Sequence, residues 1–223
     1  MLSWMKFLTG GARSNAASVG RETRRDPIAK RLRKDGFELN SISDWVNGAT
    51  PSAAVPSLIA ALNDTEEVNW LDAIVRALIT PAARGVAEPH LIALYDRLDR
   101  TPETEMLRWS LGNAIYELKP ESVATDILRI SGDQANGMSR QMFVMALSRL
   151  KGQAMTPLLL DLLAQDDVRL HAISAVRRLR LSEAEPALLA LLTGTSAPVR
   201  GAAKGALQAI RRPLPKNRAR RPL

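Results

Sequence analysis

The chain has 223 residues, no cysteine and a formal net charge of +8. Without thiols it has no disulfide framework, thiolate metal site or cysteine nucleophile, and a reducing, cytoplasmic setting is expected. Aromatics make up 4% of the residues and continuous β-branched runs are missing, so helices are expected and sheets are not.

The charge is unevenly placed. Residues 1–36 hold nine Lys/Arg against Glu22, Asp26 and Asp35. Residues 211–223 hold Arg211, Arg212, Lys216, Arg218, Arg220 and Arg221 and no acid. Between them, 37–138 carries 7 basic and 15 acidic residues, and 139–210 carries 9 and 5. The expected layout is a basic, flexible segment over 1–25, a folded body over 26–210, and a disordered Arg-rich tail over 211–223. In that tail Arg211, Arg212, Arg218, Arg220 and Arg221 are candidate contacts to nucleic acid or an anionic surface. No stretch approaches the ~20 apolar residues of a membrane span. The apolar start, Met1 to Leu8, runs into Gly10-Gly11 and does not read as a secretory signal.

In chain order, Asp26-Pro27 opens a short pair, about 27–34 and 41–47, that is expected to cap the helical stack. Five two-helix units come next. Their first helices carry one apolar stripe at helical spacing: Val55, Leu58, Ile59, Leu62; Leu91, Leu94, Tyr95, Leu98; Val123, Ile127, Ile130; Met155, Leu158, Leu159, Leu162; and Ala184, Ala187, Leu188, Leu191. The second helices share offsets 0, 4, 7, 8 and 11, counted from Trp70, Leu107, Ser139, Val168 and Val199. Offset 7 is alanine in all five (Ala77, Ala114, Ala146, Ala175, Ala206), at intervals of 37, 32, 29 and 31 residues. Starts are marked by Asp64 with Glu67, Thr101-Pro102, Pro120-Glu121, Ser182 with Glu185, and Ser196 before Pro198, where oxygens can cap free N–H groups.

Ala54 to Leu62 and Glu185 to Leu192 resemble the first helix of HEAT repeats, of the short kind also seen in phycobilin lyases. Val168-Arg169 and Val199-Arg200 resemble that family's second-helix opening, with Leu107-Arg108 and Ser139-Arg140 as looser versions. The resemblance covers roughly 50–210. It implies an all-α, right-handed α-solenoid of about five helix pairs plus a short N-terminal cap, and says little about activity. The column Arg108, Arg140, Arg169, Arg200 is expected to form an internal ladder to neighbouring turns rather than a basic stripe.

Enzyme chemistry finds little support. His90 and His171 have no second histidine at ligand spacing, no metal or cofactor is called for, and the hydrolase, dinucleotide, phosphate-loop and zincin motifs are absent. Asp166-Asp167 precede Arg169 and read as a structural acid–Arg contact. HEAT-like DNA glycosylases and phycobilin lyases are the enzyme alternatives; Asn113 stands where a glycosylase-like acid would follow Trp109. The leading expectation is a non-catalytic scaffold or adaptor for a protein or peptide, with a nucleic-acid-associated protein as the alternative.

The site is sought on the second helices, at offsets 2, 5, 6 and 9, opposite the core stripe. These positions hold Trp109, Gly112, Asn113 and Tyr116; then Gln141, Val144, Met145 and Ser148; then Leu170, Ile173, Ser174 and Arg177. Inter-repeat core and an apolar groove are both open readings of this face. The groove would be bound through Trp109, Asn113, Tyr116, Gln141, Met145 and Arg177, with room left beside Gly112.

Overall fold

The structure is a computed structural model that describes residues 26–46, 50–118, 121–151, 155–193 and 195–212. Among these, about 75% are helical and no strand occurs, so the fold is all-α. The segment 1–25 and residues 213–223, with Arg218, Arg220 and Arg221, lie outside the described residues.

Helix α1 spans Pro27–Lys34 and is followed by a 3-10 turn, Ile42–Trp45. Asp26 holds the two together: its carboxylate accepts from Ala29 N at 2.8 Å, Ile42 N at 2.8 Å and the Ser41 hydroxyl at 3.0 Å. Five sequential pairs come after it: α2 (Val55–Asp64) with α3 (Val68–Ala77), and α4 (Glu88–Arg97) with α5 (Pro102–Leu118). Then come α6 (Ala124–Gly132) with α7 (Gln141–Leu147), α8 (Thr156–Leu162) with α9 (Arg169–Leu179), and α10 (Glu185–Ala190) with α11 (Ala197–Arg211).

The second helices touch in chain order, α3 on α5, α5 on α7, α7 on α9 and α9 on α11. The first helices make a sparser second row. There α1 meets α2, α2 meets α4, α6 meets α8, and the turns opening α6 and α10 meet α4 and α8. The reason lies in the register. All five offset-7 alanines are fully buried, and a methyl group there lets neighbouring helices approach closely. Each pair supplies part of one continuous core, from Ile28 to Leu207.

Helix starts differ from the sequence expectation. Asp26 caps α1, but Glu67, Ala184 and Ser196 make no side-chain cap bond at the starts of α3, α10 and α11. Instead, proline sits in the first turn of α1, α2, α4, α8, α10 and α11, where no N–H partner is needed. Short 3-10 turns lead directly into α2, α6 and α10.

Candidate binding face on the second helices

Helices α5, α7 and α9 run in the same direction, which their end contacts establish. At their starts, Arg108 donates to Asn136 Oδ1 at 2.6 Å, and Gln141 Nε2 to the Asp167 carbonyl at 2.8 Å. A Cβ on Gly137, just before α7, would sit 3.9 Å from Glu105 Oε1 in the first turn of α5. At their ends, the Arg149 guanidinium stacks 4.3 Å from the Tyr116 ring centre, and Arg178 donates to the Tyr116 hydroxyl at 3.0 Å. Start meets start and end meets end.

The arginine column is internal where it matters most. Arg140, 1% exposed, donates to both oxygens of Asp167, to Gln165 and to the Ser131 carbonyl. Arg108, 4% exposed, lies 4.3 Å from the Tyr95 ring centre and meets Asn136. Both reach from one pair to the turn of the next. Arg169 and Arg200 stay within their own pair, on the carbonyls of Leu163 and Ala164 and of Thr195. Asp166 pairs with Arg169 and Asp167 with Arg140, so these two carboxylates are structural partners of arginine.

The offsets opposite the core stripe divide into two kinds. At offset 5, Gly112, Val144 and Ile173 are all buried, so this column is inter-helix core. The space expected beside Gly112 is filled: a Cβ there would lie 2.8 Å from Phe143 Cδ2 and 3.1 Å from Met142 Cβ. Glycine serves to bring α5 onto α7 and leaves no notch for a ligand.

Offsets 2 and 6 are more open. Trp109, Asn113, Gln141, Met145 and Ser174 are half-buried, and Leu170 is 42% exposed. Gln141 is committed to the Asp167 carbonyl, so it ties two pairs together. Tyr116 is half-buried under its two arginines. Arg177 is exposed, its guanidinium within 3.6 Å of a Cβ built on Gly205 of α11. Of the tail contacts, Arg211 is the last residue of α11 and donates from Nε to Glu185 at 2.9 Å, while Arg212 is exposed.

Two residues escaped the sequence pattern. Met106 and Met138 are 57% and 53% exposed, and both sit one position before the template, at offset −1 of successive units. Gly137 beside Glu105 places the two methionine-bearing segments next to each other. Together with Trp109, Met145 and Leu170 they place apolar side chains on the solvent side of α5, α7 and α9.

His171 on α9 is pushed down to about 4 by desolvation, and burial raises Tyr95 against the opposing pull of its bond to Ser139. In both, burial is the leading cause. Two hollows among the described residues, one beside Leu128, Leu150 and Met155 and one beside Arg140, Gln165 and Asp167, hold about 170 and 290 Å³, at or under the ~300 Å³ lower end for small-molecule pockets. No three His, Cys, Asp or Glu side chains converge as a metal site among the described residues, and no helix among them is long and apolar enough to cross a membrane. Compared with family models, curated proteins and solved structures, the chain matches none.

Proposed function

We propose that the chain is a right-handed α-solenoid of HEAT-like repeats and acts as a non-catalytic cytoplasmic scaffold or adaptor. It takes a protein or peptide partner on the solvent side of α5, α7 and α9. The observation that carries this reading is the pair Met106 and Met138, exposed at the same offset in successive pairs, Met106 on α5 and Met138 in the turn before α7. Exposed methionine is costly in water and adapts to varied apolar partners, and Trp109 and Met145 supply the half-buried floor such a contact needs. The unbroken row of second helices supports the solenoid, and the lack of cysteine supports a reducing compartment.

The test is Trp109→Ala combined with Met145→Ala. The reading requires lost partner binding with stability nearly intact. Cooperative destabilisation by several kcal/mol, as for core truncation, would make these residues core and remove the site.

A further inference from the structure

We propose that the far edge of the same helix row, the C-terminal ends of α7, α9 and α11, binds the phosphate backbone of nucleic acid. The exposed methionines lie near the start of α5 and just before α7, and this edge at the ends of α7 and α9, so different substitutions test the two sites.

The first observation is compositional and becomes spatial in the fold. Helices α7, α9 and α11 contain no Asp or Glu, whereas α3 carries Asp72 and α5 carries Glu103, Glu105 and Glu117. Three neighbouring helices thus form a wall without carboxylates of its own. Its ends bear Arg149, then Arg177, Arg178 and Arg180, then Arg211 and Arg212.

The second observation is that most of these cations are uncommitted. Arg211 is paired with Glu185, and Arg149 reaches Glu117 only at 3.9 Å. Among the described residues, Arg177, Arg178, Arg180 and Arg212 form no ion pair with a carboxylate. Cations at helix ends offset the helix dipole, but one per helix suffices for that, and α9 brings three.

The third observation is preorganisation. Tyr116 holds two guanidiniums on neighbouring helices, Arg149 on its ring and Arg178 on its hydroxyl. Arg177 is laid across toward α11 at Gly205, so the cations bridge helix to helix.

Nucleic acid fits better than an acidic protein for two reasons. The groups are almost all arginine, whose planar fork matches phosphate in bidentate fashion. The ends of α7, α9 and α11 that bear them also hold no exposed large apolar residue, whereas a protein interface needs an apolar anchor such as Met106 and Met138. The sequence after Arg212 continues with Lys216, Arg218, Arg220 and Arg221 and no acid.

The experiment is fluorescence anisotropy of the full chain with a labelled oligothymidine and a labelled duplex, between about 50 and 200 mM salt. Arg177→Gln with Arg178→Gln is the test variant; both side chains are exposed, and a circular dichroism melt checks that the fold is kept. A chain ending at Arg212 and a poly-glutamate competitor complete the set. The proposal expects binding that weakens steeply with salt, and a log–log salt slope shallower by about one for each arginine removed. It expects residual binding by the shortened chain. No binding to either oligonucleotide, an unchanged slope in the double variant, or binding lost on shortening alone would overturn it. Competition by poly-glutamate at equal charge would reassign the edge to acidic proteins.

Discussion

The Arg140 guanidinium on the third pair grips both carboxylate oxygens of Asp167 on the fourth, with contacts of 2.8 and 3.0 Å from Nη2. The arginine is 1% exposed and the aspartate about one-third exposed, so the charge that cannot reach water is the one most completely bonded. This contact, with Gln141 on the Asp167 carbonyl, fastens one pair to the next from the interior.

Asp167→Ala leaves Arg140 buried without its counter-charge. The expected cost is about 3 kcal/mol, the low end for breaking a buried pair, because Asp167 itself is partly hydrated. Urea unfolding checks it through a lower midpoint. By comparison, Asp126→Ala, which removes one of two exposed partners of Arg129, should cost less than about 1 kcal/mol.

Gly112→Ala tests the contact between α5 and α7. Alanine gains about 1 kcal/mol of helix propensity over glycine. The new methyl meets the fully buried Phe143 ring at 2.8 Å, and overpacking of this kind costs about 1–3 kcal/mol. A net loss of up to about 2 kcal/mol is expected. Adding Phe143→Leu should cost less than the sum of the two single changes, since each relieves the other. Strict additivity in thermal melts would mean that the two positions do not touch.

His171 gives a pH dependence of definite sign. Desolvation holds its folded value at about 4, below the ordinary 6.5, so the unfolded chain takes up the proton first. Its contribution is fully present above about pH 6.5 and is lost as the pH falls toward 4, by about 1–3 kcal/mol in total. His171→Gln should flatten stability measured across that window.

Much of this arrangement was legible in the sequence, and the remainder has identifiable causes. The five alanines at offset 7 marked the buried close approaches because a methyl side chain is what two crowded backbones tolerate. The same periodicity ranked Leu158 with Leu159, yet Leu159 is fully buried and Leu158 only half, lying against Gly132. A stripe gives a direction on one helix and says nothing about how far a neighbour extends over it. Gly112 was read as a gap because sequence shows the missing side chain and not the Phe143 ring that fills its place. The internal role of the arginine column was readable from the repeat, but the Tyr95 ring and Asn136 serving Arg108 in place of an acid were not. Met106 and Met138 stood outside the template because they lie one residue before its first position, Met106 inside α5 and Met138 in the 3-10 turns of Gln134–Arg140.

The most direct measurement compares the proteins captured by the intact chain and by a Met106→Glu, Met138→Glu variant, each identified by mass spectrometry after nuclease treatment. Both side chains are more than half exposed, so the variant should melt within about 0.5 kcal/mol of the parent. An adaptor that binds through these methionines gives a partner held by the parent and released by the variant, with nuclease making no difference. An identical set of proteins held by both would contradict it.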